Sequence, residues 1–299
     1  MNATVERFLQ YLRLERNLAW RTVETYRRDL VQWEGYMTAG KRSLDLASVT
    51  TGDIRAWLME RATLGDSPAT LRRRVQALRA LYRYLLLKNI VAANPASQVE
   101  LAKLPKPLPK LVREKTVNTL LDAEIDLGDF TQVRDRLIVM LLYETGIRLS
   151  ELIGLQDAAV DTVKCELKVH GKRDKDRIVP FGDELKHWID LYRPLRAQVW
   201  PECANLLVTA RGKPLYPQLV YRVVHGGLVA AGGTGKLSPH VLRHTFASVM
   251  LNGGAELNSV KELLGHESLA ATQVYTHVTL SELQHNYELA HPRALKKGG

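Results

Sequence analysis

Ten residues, Leu101-Ala-Lys-Leu-Pro105-Lys-Pro107-Leu-Pro109-Lys110, constrain this chain more than any other stretch. Three alternating prolines remove three backbone donors and push each preceding residue out of the helical region, so the segment fits neither a helix interior nor a central strand. It reads as an extended, proline-rich linker over residues 101–112. The 299 residues are thereby divided into a front of residues 1–100 and a rear of residues 113–299, each long enough for its own core.

The front reads as all helix. Val5, Phe8, Leu9 and Leu12 mark one amphipathic stripe, and Val23, Tyr26, Leu30, Trp33 and Met37 a second. Ile54, Trp57 and Leu58 follow a Thr50-Thr51 cap. The fourth stripe, Leu71, Val75, Leu78, Tyr82 and Leu85, follows Ser67 as cap and Pro68 in the first turn. Arg72, Arg73, Arg79 and Arg83 lie away from that stripe, and a helical bundle with one basic side satisfies the pattern. Charge supports this reading. Residues 1–106 hold 18 Lys and Arg against 10 Asp and Glu, whereas residues 107–299 hold 24 against 22, so most of the net +10 sits in front. A charge run is ordinarily a solvated face, but a whole domain biased this way suits a polyanion such as DNA or RNA, with the four arginines as DNA-binding candidates.

The rear mixes helices with a short strand region. An apolar helix from about Val133 to Glu144 stops at Thr145-Gly146, glycine being the usual left-handed terminator, and Arg148 follows in a turn before Leu149-Ser-Glu-Leu152. Glu166-Leu-Lys-Val169 and Arg177-Ile-Val-Pro180 form a hairpin whose charged tip begins with Lys172. Helices are expected over Asp183 to Leu195 and Pro217 to Ala230, with a glycine joint at Gly232-Gly-Thr-Gly235.

The densest chemistry runs from Leu237 to His277. Ser238-Pro239 is a helix start, with the serine side chain expected to cap, so His240 falls in the first turn, where free N–H groups favour an anion. Arg243 and His244 follow on the same face. His240 and His244 stand at zinc-ligand spacing, but Val241 occupies the place of a catalytic Glu, and the permanent charge of Arg243 between them disfavours a cation. A helical pattern runs on to Leu263-Leu-Gly-His266, and the stretch closes on Tyr275-Thr-His277. Each of these side chains alone also has an ordinary structural role.

Nothing in the sequence resembles a signal peptide or a membrane-spanning apolar run, and Cys165 and Cys203 form neither a disulfide framework nor a metal motif. These features fit a reducing, cytoplasmic setting.

Together, Thr-Gly-Ile-Arg148-Leu-Ser-Glu-Leu, the Gly-Lys172 hairpin, His240-x-x-Arg243-His244, Leu-Leu-Gly-His266 and Tyr275-Thr-His resemble the signature of the tyrosine site-specific recombinases, the lambda-integrase-like enzymes. Their order and spacing look like the Xer branch, and the ending Glu-Leu-Ala-His291-Pro-Arg is more similar to its XerC type than its XerD type. The resemblance covers nearly the whole chain. It departs at Arg173, where the family commonly has glycine, and around Leu18-Ala-Trp20.

The resemblance implies a mainly α fold with a small antiparallel sheet. A SAM-like core-binding bundle and a mixed α+β catalytic domain would form a clamp around DNA. It also implies roles for matching residues. Arg148 and Arg243 would hold two non-bridging phosphate oxygens, with His266 adding a hydrogen bond. Tyr275 would be the nucleophile, His240 the group taking its proton, and Lys172 the acid for the leaving 5′-hydroxyl. A phosphotyrosyl link conserves the bond energy, so neither metal nor cofactor is called for.

The amphipathic tail, Ser281 to Ala290, is expected in the family to dock on a neighbouring protomer, although alone it could equally fold onto its own domain. The implied partners are a dif-like DNA site, a XerD-like recombinase in a tetramer on two duplexes, and a septal DNA translocase. The implied task is resolving chromosome and plasmid dimers before division. A phage or mobile-element integrase, a DNA binder without chemistry and a metal-dependent nuclease stand as alternatives, separated by covalent trapping and by EDTA.

Overall fold

The computed structural model describes residues 2–39, 44–100, 111–171, 176–200, 202–265 and 280–294. The proline tract lies outside them. The chain falls into two compact units, Met1–Pro107 and Leu108–Gly299.

The front unit contains α1 (Ala3–Leu14), α2 (Trp20–Met37), α3 (Thr51–Thr63) and α4 (Pro68–Leu87). The caps form as the sequence predicts: the Thr50 hydroxyl accepts from the Asp53 N–H while the Asp53 carboxylate accepts from Thr50, and Ser67 accepts from Thr70. Phe8, Leu30, Trp33, Trp57, Leu78, Tyr82 and Leu85 fill the core. Buried Asp29 is held by Arg73 and by Arg74, which also bonds Asp66.

The rear unit is built around α6 (Phe130–Thr145), in which twelve of sixteen residues are buried. A helix buried on nearly every side needs partners all round. It has them in α8 (Asp183–Val199), α9 (Pro217–Ala230), α10 (Pro239–Asn252), α7 (Leu149–Gly154) and α5 (Glu114–Asp122). The sheet is antiparallel in the order β1 (Val160–Asp161), β2 (Glu166–His170), β3 (Asp176–Pro180). Leu167, Val169 and Val179 turn one face into the core. Among the described residues two further elements follow, α11 (Leu257–Leu264) and α12 (Leu280–Ala290), both packed against α10 and β3. The architecture is mainly helical with one small antiparallel sheet, as expected from the sequence.

Two local expectations fail. Ser238 occupies the N-cap position of α10, but its hydroxyl makes no capping bond and is buried with no hydrogen-bond partner among the described residues. Its backbone carbonyl receives the Val241 and Leu242 N–H groups instead. The helical pattern after His244 is also not continuous: α10 ends at Asn252, and α11 begins only after Gly253-Gly254.

Candidate active site

The site starts at the end of α6. Gly146 adopts φ +60°, the left-handed conformation that ends a helix, and a Cβ there would lie 2.3 Å from the Phe246 ring. Only glycine lets the chain pass this ring and turn Arg148 to the head of α7. Three residues on, Glu151 accepts the Arg148 backbone N–H at 2.7 Å and its Nη1 at 2.8 Å.

A second arginine arrives from α10. Arg243 is buried, 8% exposed, and its Nη1 donates to the Gly146 carbonyl at 2.6 Å. Its Nη2 donates to the Leu264 carbonyl, and Arg148 Nη2 donates to the next carbonyl, that of Gly265, at 2.7 Å. A third, Arg177 from β3, donates through Nε to the Leu263 carbonyl at 2.7 Å and through both terminal nitrogens to Glu151 at 2.9 and 2.8 Å. Three guanidiniums thus meet three consecutive carbonyls at the end of α11. The physical reason lies in helix geometry: the last turn leaves carbonyls unpaired and carries the negative end of the dipole, which suits cations.

The charges perturb one another. Burial pushes the Glu151 carboxyl upward, but hydrogen bonds from Arg177 and the Arg148 backbone outweigh it and bring its pKa down to about 2. Burial, then the charge of Arg148, lowers Arg243 to about 10, so it stays charged at neutral pH.

Other residues named from the sequence fall in several places. Arg148 and Arg243 come together, whereas His240 and His244 are exposed on α10 while Arg243 points inward, so the three do not share one face in the manner expected. The local helix explains this, because Arg243 lies between buried Leu242 and the outer face and is drawn in by the Gly146 and Leu264 carbonyls. Although His240 is exposed overall, partial desolvation of its ring lowers its pKa, reinforced by His244, Lys236 and Arg243. Lys172, His266 and Tyr275 lie outside the described residues.

In the front unit, Arg83 is exposed, Arg72 is half-buried, Arg73 pairs with Asp29, and Arg79 donates to the carbonyls of Ala96, Ser97 and Val99. Arg79 therefore ties down the segment after α4. Sequence reasoning gave no role to Glu151 or Arg177. An acid three residues after Arg148 at a helix start, and an arginine at an inward position of an alternating strand, were the available signals.

The tail folds onto its own unit in this structure, with Leu283, Tyr287 and Ala290 buried in the rear core. The His291 ring stacks on Tyr287, 5.2 Å between centroids, and lies 5.7 Å from Phe246, while Arg293 bonds Asp122, Glu184 and Asn118. Burying these rings and saturating Arg293 favours this placement over an outward one.

The phage integrase family matches residues 110–282, and the phage integrase N-terminal SAM-like domain matches residues 5–89. Proteins carrying the name tyrosine recombinase XerC are similar along almost their whole length. The one from Mycobacterium sp. (strain JLS) is 40% identical, covering 98% of this chain and 100% of its own. Those from Chlorobaculum parvum and Pseudomonas aeruginosa (strain LESB58) are each 36% identical, covering 97% and 100% of this chain and 94% and 97% of their own. Among solved structures, the XerH site-specific recombinase in its pre-cleavage complex with difH substrate has the same fold, with TM-score 0.69, 22% identity and coverage of 95% and 83%. So does a lambda integrase dimer on a core site, with TM-score 0.69, 17% identity and coverage of 92% and 98%. No helix among the described residues is long and apolar enough to cross a membrane. The chain belongs to the phage integrase family, the tyrosine recombinases that cut and rejoin DNA strands at specific sites.

Proposed function

We propose that this enzyme joins DNA through its 3′-phosphate to Tyr275 while Arg148 and Arg243 hold the two non-bridging oxygens of the scissile phosphate. The observation that carries this reading is the meeting of Arg148 and Arg243 at successive carbonyls of the α11 end, Gly265 and Leu264. Each guanidinium has five N–H donors, and the bonds described for it engage two, which leaves edges for phosphate oxygens. His266, the residue after Gly265, adds a third hydrogen bond. His240, its pKa lowered by partial desolvation and by neighbouring cations, is neutral at physiological pH and takes the phenol proton. The Tyr275 oxygen forms a bond to phosphorus as the bond to the 5′-oxygen breaks, and Lys172 protonates that leaving oxygen. A 5′-hydroxyl from a second duplex reverses the step, so no cofactor enters.

The front bundle, residues 1–100, binds DNA, with Arg83 the most exposed of its candidate contacts and half-buried Arg72 and Arg73 about three turns earlier on α4. The XerC name of relatives 36–40% identical supports a cytoplasmic role in resolving chromosome and plasmid dimers at a dif-like site. The assembly is a tetramer with a XerD-like recombinase, controlled by a septal translocase, and in that state α12 exchanges its packing on its own unit for equivalent packing on a neighbouring protomer.

The test is a nicked suicide duplex carrying the host's dif-like sequence, incubated with whole protein. A covalent, protease-sensitive adduct that survives EDTA and vanishes in Tyr275→Phe is expected. Cleavage stopped by EDTA without a tyrosine link would establish a metal nuclease, and binding without adduct a DNA-binding protein alone.

A further inference from the structure

One charged group in the candidate site has no part in the chemistry proposed above. Arg177 pairs across the sheet with Val169, on the face that also turns Leu167 and Val179 into the core. Alternation therefore sends a guanidinium inward where an apolar side chain ordinarily stands, and such a position is tolerated only when the charge finds partners. Its partners are specific: both Glu151 oxygens and the Leu263 carbonyl, with the arginine side chain 11% and the carboxylate 4% exposed.

We infer that Arg177 is a positioning residue for cleavage: by holding both oxygens of Glu151 and the Leu263 carbonyl, it fixes Arg148 and the end of α11 where a phosphate is received. The assignment rests on the recombinase chemistry proposed above.

Two arginines compete for one acid. Glu151 is shared, since Arg148 engages it through one terminal nitrogen and its backbone N–H while keeping Nη2 on Gly265. Without Arg177, the buried carboxylate would keep Arg148 as its one guanidinium partner among the described residues. A fork-shaped donor beside an uncompensated carboxylate closes on both oxygens. Arg148 would then leave Gly265 and the α11 end, and its charge would be cancelled. Arg177 against Glu151 leaves Arg148 and Arg243 as a surplus of two charges; removing Arg177 leaves one. A phosphodiester ground state carries one negative charge and is still matched, whereas the transition state gathers nearly two. Loss of Arg177 is therefore expected to spare DNA binding and slow cleavage.

The experiment compares affinity for a nicked suicide duplex with the single-turnover rate of adduct formation. It uses whole wild-type protein, Arg177→Lys, Arg177→Met and the double variant Arg177→Met/Glu151→Gln. Both single variants are expected to bind within about threefold of wild type and to form adduct about 10–100-fold more slowly, the range associated with misplacing a catalytic group by around an ångström. Lysine keeps the charge but not the fork, and one ammonium cannot hold both Glu151 oxygens and the Leu263 carbonyl in place, so Arg177→Lys reads the loss of placement alone and Arg177→Met the loss of placement and charge together. The double variant, having lost the uncompensated carboxylate, is expected to react several-fold faster than Arg177→Met.

Rates within about threefold of wild type in the single variants would overturn the assignment, as would equal losses of affinity and rate, or a double variant no faster than Arg177→Met. If Arg177→Met does not fold, the split between affinity and rate in Arg177→Lys decides alone. Failure of the wild-type protein itself to form adduct would overturn the recombinase chemistry. Adduct from wild type that the single variants leave unchanged would overturn only the role of Arg177.

Discussion

Replacing Glu144 with glutamine is expected to stabilise the rear unit by an amount that grows with pH. Glu144 sits in the last turn of α6, is 0% exposed, and neither carboxyl oxygen has a hydrogen-bond partner among the described residues. Burial, with Glu184 adding to it and Arg293 opposing, holds its pKa well above the ordinary 4.5, so the folded protein keeps a neutral acid there. The unfolded chain ionises near 4.5. Above that value the unfolded state gains from losing a proton and the folded state does not, so stability falls by about 1.4 kcal/mol per pH unit until the folded group ionises too. The neighbouring His291 works in the other direction. Its pKa is lowered to about 3 by burial, so stability is lost as pH falls from about 6.5, where the unfolded imidazole takes a proton, towards 3. Above pH 6.5 the Glu144 slope acts without that opposition. Glutamine removes the slope and leaves any packing or amide penalty as a constant offset. Urea denaturation of the whole chain at about pH 5.5, 6.5, 7.5 and 8.5, read by amide exchange in peptides of α6, separates slope from offset. A stability difference between wild type and Glu144→Gln that is flat with pH would show that the carboxyl is not held neutral, and the reasoning would fail.

Further outcomes follow from the same packing. Gly146→Ala combines a left-handed backbone with a methyl against Phe246, and thermal unfolding should record a loss of about 2–5 kcal/mol from those two effects. Arg79→Ala removes the guanidinium bonds to the carbonyls of Ala96, Ser97 and Val99, of which Ala96 keeps the Val99 N–H, and should destabilise the front unit by about 1–3 kcal/mol, measured by denaturation. Arg83→Ala, at an exposed position, should leave stability unchanged and reduce the log–log salt slope of DNA binding by about 0.9, as for one lost phosphate contact. Arg148→Ala and Arg243→Ala should each slow adduct formation by about two to three orders of magnitude in single-turnover assays, the effect of losing one preorganised donor to a developing anion.

Local signals were the legible ones. Ser67-Pro68, Thr50 with Asp53, and Thr145-Gly146 state helix starts and stops within a few residues, and α4, α3 and α6 begin or end there. The hairpin was legible from Leu167, Val169 and Val179, but β1, two residues long, is too short for any period to register. Ser238 misled because capping depends on where the hydroxyl points, and tertiary burial decided that. Arg79 misled for a related reason: on a helical wheel it looks like part of a basic face, while the chain 17 to 20 residues later returns to take its donors. Glu151 and Arg177 lie 26 residues apart, and Arg177 and Leu263 86 apart. No window along the sequence contains both members of either pair, so their roles appear only when the sheet and α11 meet.

Three guanidiniums gathered in one partly buried site repel one another, and burial removes water that would screen them. The fold offsets the repulsion with the Glu151 carboxylate and with the carbonyls of Leu263, Leu264 and Gly265, at a helix end worth roughly half a negative charge. That compensation is incomplete: among these groups three positive charges face one negative charge and a partial one. A bound phosphodiester reduces the imbalance, and the extra charge that its oxygens acquire during attack reduces it further. Donors already held by backbone carbonyls need not reorient as that charge grows, whereas free side chains or water would. The negative end of α11 therefore fixes the Arg148 and Arg243 guanidiniums in advance without neutralising them, and the positive charge left unbalanced is what the proposed clamp can contribute to the transition state.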